Sequence, residues 1–158
     1  MITLQFVCTD SILSKLIAWY GNGWHGFSHV DAVLPDGSLL GARSTSVGGK
    51  PPGVQIRPAN YEKWIRVSRI SFNPSQSQAD TWVNWLVSQV GKQYDMSNIL
   101  DFIIGDKTHQ DGRWICSALQ MAALLQVKLL SPAGVPAQQI TPDTLHAICC
   151  ASGWVVQS

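Results

Sequence analysis

Hydrophobic and polar residues alternate with the period of a β-strand in several short runs, most of them in the first half of the chain. Asp36 and Gly37 lie between two of these runs and supply the residues of a tight turn. The predicted strands are residues 2–8, 30–34, 38–44, 54–57 and 64–72, with a short one at 154–157. Strands that follow one another so closely favour a small antiparallel sheet.

Helical spacing replaces this alternation in the second half of the chain. Ser75 or Ser77 begins the most regular of these segments, and Gly91 ends it. Thr141 as a cap, with Pro142 in the first turn, predicts the start of the last helix. The predicted helices are residues 10–19, 75–91, 97–104, 115–127 and 141–150. Because strands and helices are segregated, the pattern predicts an α+β fold, as one domain over residues 1–158.

The composition excludes several classes of partner. A net charge of +1, with 13% charged residues, gives no electrostatic footprint for nucleic acid or for an anionic membrane. No apolar run approaches the roughly 18 residues of an integral membrane segment. The first residues do not have the pattern of a signal peptide, so we expect a cytoplasmic protein, or a phage-encoded one that is released by lysis or carried in a virion. The oligomeric state is not predicted.

Four cysteines, at positions 8, 116, 149 and 150, lack the paired spacing of metal ligands, so no metal site is expected. Cys116 is the candidate nucleophile, because it follows a polar loop and opens the apolar segment 115–127. Free N–H groups at a helix start favour a thiolate and can receive an oxyanion. His29, at the start of a predicted strand, is the candidate base. The two residues together indicate a Cys/His hydrolase.

Four short motifs occur in a characteristic order. They are Phe27-Ser-His-Val30, Gly91-Lys-Gln-Tyr-Asp95, Trp114-Ile-Cys-Ser117 and Ile140-Thr-Pro-Asp-Thr-Leu145. This series, which spans nearly the whole chain, resembles the circularly permuted branch of the NlpC-type papain-like cysteine peptidases and amidases, the YiiX-like group in particular. In that family the histidine precedes the cysteine, which reverses the papain order. The resemblance implies a papain-like fold in which a small antiparallel sheet packs against helices and the catalytic cysteine lies at a helix N-terminus.

Carried over residue by residue, the resemblance makes Cys116 the nucleophile and His29 the general base. It places Tyr94, Trp114 and Ser117 in or beside the substrate cleft. The backbone N–H of Cys116 or Ser117 is a candidate for the oxyanion hole. No cofactor is implied.

The third catalytic residue is open, because Gly41 and Ala42 occupy the segment in which relatives often carry a Glu-Ala pair. Asp31 is two positions from His29 and therefore shares its face of the strand. Ser44 is level with His29 if the turn centres on residues 36 and 37, and Gln55 lies on the next strand. We prefer Gln55 or Asp31; a dyad oriented by water is the alternative.

These residues predict a thiol-dependent amidase or peptidase, and the resemblance implies that it acts on a cell-wall peptide or a related amide. A lipid or small-amide acyl hydrolase or acyltransferase is the second possibility, which an apolar rim formed by Trp24, Phe27 and Trp114 would favour. A catalytically inactive binding module is the third, because an acid is missing at Gly41. Cys8, Cys149 and Cys150 are interpreted as core residues, and His146 as a surface residue.

Overall fold

The computed structural model describes residues 1–10, 26–95, 113–130 and 140–157. Apart from Asp10, the predicted helices at 10–19 and 97–104 lie outside these residues. The strands are β1 (Ile2–Cys8), β2 (His29–Val33), β3 (Leu39–Arg43), β4 (Gly53–Arg57), β5 (Arg66–Phe72), β6 (Gln93–Tyr94), β7 (Arg113–Trp114) and β8 (Val155–Gln157). The helices of the described residues are α1 (Gln76–Ser88), α2 (Cys116–Gln126) and α3 (Pro142–Ala151).

Six strands form one antiparallel sheet in the order β4-β3-β2-β1-β5-β8. The strand β2 lies between β1 and β3, with Val7 opposite His29 and Leu40 opposite Ala32. The turn between β2 and β3 has Gly37 at φ +82°, a backbone conformation that glycine adopts without strain. The prediction of an α+β fold with an antiparallel sheet is confirmed.

Alternation along the central strands sorts their side chains onto two faces. Leu4, Phe6, Val30 and Ala32 point to one face and belong to the hydrophobic core. Helix α2 packs on β2 and β3 and contributes a large apolar surface to the same core. The positions between them in β2, which include His29 and Asp31, are polar yet buried. Buried polar groups require partners, so the polar side chains of β2 are candidates for a functional site.

The starts of the three helices differ. Ser75 caps α1 in a capping box with Gln78, and the Thr141 hydroxyl accepts from the backbone N–H of Thr144 at the start of α3. Helix α2 begins after Ile115, which is extended and provides no side-chain cap. The first N–H groups of α2 therefore have no capping side chain, and Cys116 is the first residue beside them.

A two-stranded parallel ladder, which the sequence pattern did not predict, joins β6 to β7. It sets Tyr94 beside Trp114, and the N–H of Asp95 donates to the carbonyl of Trp114 at 3.1 Å. Since β7 ends two residues before Cys116, this ladder connects the Gly91–Asp95 motif to the start of α2. No helix among the described residues has the length and apolar character needed to cross a membrane.

Candidate functional site

The His29 and Cys116 side chains meet where strand β2 and helix α2 both begin. The His29 ring lies close enough to the Cys116 thiol for its charge and hydrogen bonding to lower the pKa of the thiol, and the backbone of Val30 acts in the same direction. The two residues are only 4% and 6% exposed, respectively, so their interaction is sheltered from water. Eighty-seven positions of sequence separate them, and the packing of α2 on β2 brings them together.

The electrostatics of this pair favour its charged form. Burial alone raises the pKa of Cys116, but the positive charge and hydrogen bond of His29 outweigh it, and the pKa of the thiol is lowered. Burial likewise acts to lower the pKa of His29, whereas the charge of Asp31 and then that of Cys116 raise it, with a net increase. A lowered thiol pKa beside a raised imidazole pKa shifts the pair toward its thiolate–imidazolium form.

Asp31 provides the second contact of the histidine. Its Oδ1 lies 2.8 Å from Nε2 of His29, as expected for two side chains on the same face of a strand. Burial acts to raise the pKa of Asp31, but His29 and a hydrogen bond from Tyr61 outweigh it and hold the pKa below its usual range. Because Nε2 is used by Asp31, Nδ1 is the nitrogen left for the thiol. The carboxylate thus selects the imidazole tautomer.

Of the candidates for the third residue, Asp31 is the one in contact with His29. Gln55 is opposite Gly41 on the far side of β3, and within the described part of the chain its side chain has no hydrogen bond to His29. The pairing of Ala32 with Leu40 puts Arg43, not Ser44, level with His29. The expectation for Ser44 was therefore off by one residue, because the hairpin turn is one residue shorter than assumed.

Gly41 has a different meaning from the one that its place in the motif suggests. A Cβ atom at this position would lie 1.9 Å from Oδ1 and 3.0 Å from Cγ of Asp31. Any side chain at position 41 would thus occupy the space of the Asp31 carboxyl group. The glycine leaves room for an acid on the neighbouring strand.

Tyr61, in the loop between β4 and β5, was missed by the sequence analysis. Its hydroxyl donates to Oδ2 of Asp31 at 2.8 Å. Two arginines, Arg43 and Arg57, have their guanidinium carbons 5.7 Å from the centre of its ring. Tyr61 belongs to a polar loop without periodicity, so the sequence carries no signal for its role. Arg43 is also paired with Glu62.

The three predicted cleft residues occupy different surroundings. Tyr94 is half-buried near the thiol: burial raises the pKa of its phenol, and the charge of the Cys116 thiolate raises it further. The indole N–H of Trp114 donates to Oε1 of Gln89 at 3.2 Å, so this half-buried side chain is tied to the end of helix α1. The hydroxyl of Ser117 donates to the carbonyl of Ile140. That hydroxyl therefore has a structural bond, and the oxyanion role of the backbone N–H stays a prediction.

The Thr-Pro-Asp segment near the end of the chain holds the approach to His29. Asp143 accepts the backbone N–H of Phe27 at 2.9 Å, across 116 positions of sequence. Arg66 donates to the carbonyl of Gly26 at 2.8 Å. His146, expected on the surface, is half-buried instead: its ring lies 4.9 Å from the ring of Phe6 and bonds the Ser68 hydroxyl at 3.0 Å. Helix α3 thus fixes the segment that enters β2.

Among the residues that the structure describes, no group of three or more His, Cys, Asp or Glu side chains is placed to hold a metal ion. A scan of protein-family models finds no match for this chain, and a search of curated proteins finds none either.

Proposed function

We propose that the chain is a cysteine hydrolase that cleaves an amide bond through the Cys116 thiolate, with His29 as general base and Asp31 as the group that orients the imidazole. The observation that carries this proposal is the continuous series of contacts from Asp31 through His29 to Cys116 at the uncapped start of helix α2. It is the arrangement expected of a permuted NlpC-type papain-like enzyme, the family that the motifs resemble.

The proposed reaction is an acyl transfer in two steps. His29 holds the proton of the Cys116 thiol, and the thiolate attacks the carbonyl carbon of the amide. The carbon–sulfur bond forms, the carbon–nitrogen bond breaks, and the imidazolium returns its proton to the departing amine. Water then attacks the thioester and gives a proton to His29, which releases the carboxylic acid and restores the thiol. The N–H groups at the start of α2 receive the oxyanion in both steps.

The position of the charges supports a nucleophile rather than a packing cysteine. Cys149 is as deeply buried as Cys116, and burial raises the pKa of Cys149 to about 12. At Cys116 the same penalty is outweighed by His29, so the pKa moves in the opposite direction. Two buried cysteines in one core thus differ in their neighbours, chiefly in the presence of His29 beside Cys116. This difference argues against an inactive binding module.

A peptide-like amide, such as a cell-wall peptide, is the substrate that we propose. An apolar rim would favour a lipid, but Phe27 packs between the rings of Phe6 and His146, and Trp114 packs its edge against Trp85. Both side chains are half-buried in these contacts, which leaves less apolar surface open to an acyl chain. Trp24 lies outside the described residues.

Trapping of the acyl-enzyme tests the proposal. The full chain is mixed with cell-wall muropeptides or with an N-acyl lipid amide, quenched in acid, and mapped by peptide mass spectrometry. We expect an acyl group on the peptide that contains Cys116, formed from the muropeptide and absent in Cys116→Ala. An adduct that forms from the lipid amide alone would show that the substrate is a lipid amide and not a cell-wall peptide. Hydrolysis that persists in Cys116→Ala would refute the mechanism.

A further inference from the structure

We propose that Tyr61 is a positioning residue of this site: its hydroxyl, together with the space left by Gly41, fixes the Asp31 carboxylate against His29. The catalytic importance of Tyr61 rests on the proposed function, but the contacts that support its positioning role do not depend on any substrate. It extends the site to a residue in the loop between β4 and β5, which none of the motifs includes.

Both oxygens of the Asp31 carboxylate are in use. Oδ1 bonds Nε2 of His29 and Oδ2 accepts the Tyr61 hydroxyl, each at 2.8 Å. A carboxylate bonded at both oxygens cannot rotate about its last bond without losing one of the contacts. Asp31 is 1% exposed, so water does not replace a lost partner at low cost. Tyr61 therefore determines the angle from which the acid meets the imidazole.

Gly41 limits the same carboxylate from the neighbouring strand. The position where a Cβ would stand is 1.9 Å from Oδ1, well inside any real contact distance. Arg57, on β4, donates to the carbonyl of Gly41 at 3.2 Å and so fixes the backbone that borders this space. The Asp31 carboxylate is thus held by the Tyr61 hydroxyl on one side and confined by the backbone of Gly41 on the other.

The Tyr61 ring is itself firmly held. Trp64 packs edge-on against it, with ring centres 5.0 Å apart and planes at 84°. The guanidinium groups of Arg43 and Arg57 lie near its ring, and its backbone N–H donates to the carbonyl of Pro58 at 3.1 Å. A hydroxyl on a ring held from several directions is preorganised for one acceptor.

Within the described part of the chain, the charged and titratable groups that act on Asp31 and its contacts come from several elements around it. They are His29 from β2, Arg43 from β3, Arg57 from β4, Tyr61 from the loop that follows, and Cys116 from α2, with Glu62 paired to Arg43. Burial and the charge of Asp31 raise the pKa of Tyr61, so its hydroxyl keeps its proton throughout the working range of a protein. The Tyr61 hydroxyl therefore donates to Asp31 across that whole pH range.

The test is an NMR titration of the His29 ring in the full chain, assigned by comparison with His29→Gln. Tyr61→Phe removes the hydroxyl and keeps the ring contacts. Because the Asp31 carboxylate can then rotate away from Nε2 of His29, it stabilises the imidazolium less, and we expect the pKa of His29 to fall by about one unit. Ser38→Ala is the matched control, because Ser38 also donates a hydroxyl to an aspartate, Asp36, but on an exposed turn. It should leave the His29 titration unchanged.

Gly41→Ala supplies a second perturbation if Tyr61→Phe unfolds, since the added methyl group displaces the carboxylate from the opposite side. It should lower the pKa of His29 in the same direction. A His29 titration in Tyr61→Phe that agrees with the unmodified chain to within about 0.2 units overturns the inference. That result can occur while Cys116 still turns over substrate. Conversely, a lowered His29 pKa in a chain without turnover supports the contact and refutes the hydrolase, so the two failures are distinguishable.

Discussion

Replacing Asp31 with asparagine separates the charge of this residue from its shape. The amide oxygen of Asn can still accept the Tyr61 hydroxyl, but its NH2 group then faces Nε2 of His29 at the 2.8 Å contact. An NH2 group donates, so Nε2 must be the unprotonated nitrogen, and the ring proton moves to Nδ1, the nitrogen left for the thiol. A protonated Nδ1 on a neutral ring cannot accept the Cys116 proton. The variant therefore keeps the packing and reverses the tautomer.

The size of the effect follows from this contact. A hydrogen bond to a charged partner contributes about 1.5–3 kcal/mol, which corresponds to a change of roughly 10- to 200-fold in rate. Asp31 is 1% exposed, so water cannot take the place of the lost carboxylate beside the imidazole. In hydrolases with a Ser-His-Asp triad, the equivalent tautomer error costs about 10⁴-fold. We expect kcat/KM of Asp31→Asn to fall by between about 10² and 10⁴.

The assay is steady-state hydrolysis of the substrate that acylates Cys116, with thermal unfolding measured in parallel. Gln55→Ala, on β4, is the comparison, because the sequence alone gave Gln55 and Asp31 equal standing. It should stay within about twofold of the unmodified chain. If Asp31→Asn keeps more than about a third of the activity, or if Gln55→Ala loses as much as Asp31→Asn, the assignment of Asp31 is wrong.

Three further predictions concern the nucleophile, the pH dependence of the reaction and a glycine of β4. Cys116→Ala should abolish turnover and lower the free energy of unfolding, measured by chemical denaturation, by about 1 kcal/mol. Cys149→Ala should lower the free energy of unfolding by a similar amount and leave turnover unchanged. The hydrolysis rate should follow a bell-shaped pH profile, rising through the lowered pKa of Cys116 and falling through the raised pKa of His29; a rise that starts only near the ordinary thiol value of about 8.5 would contradict the ion pair. Gly53→Ala should lower the free energy of unfolding by about 1–3 kcal/mol, because φ is +117° and the added Cβ would lie 2.5 Å from the Lys92 carbonyl oxygen. Gly49→Ala is the control and should lower it less, because no atom lies within 4 Å of the position of its Cβ. Equal losses of stability in thermal denaturation would show that the close approach at Gly53 is unimportant.

The sequence predicted the elements whose side chains follow a clear period. Alternation gave β2 and β3 to within a residue or two, and the cap at Thr141 located the start of α3. The ladder of β6 and β7 was missed, because strands of two residues are too short to have a period. Pairing between residues 93–94 and 113–114 also depends on the fold, not on local pattern.

The site was predictable only as far as periodicity reached. The same-face rule brought Asp31 to His29, but it could not separate Asp31 from Gln55, since the choice depends on where α2 and the loop after β4 lie. Gly41 was interpreted as the loss of an acid, because a glycine in sequence gives no sign of the group that fills its space. Tyr61 had no signal at all, for its role arises from a contact across 30 positions.

The central claim is that Cys116 is a thiolate held by His29. Its most direct test is the pH dependence of iodoacetamide alkylation, followed at each cysteine by peptide mass spectrometry in the unmodified chain and in His29→Gln. We predict that Cys116 reacts with an apparent pKa below the ordinary thiol value, and that this pKa rises in His29→Gln. A Cys116 that titrates at the ordinary thiol value, or one whose titration is the same in His29→Gln, would contradict the claim.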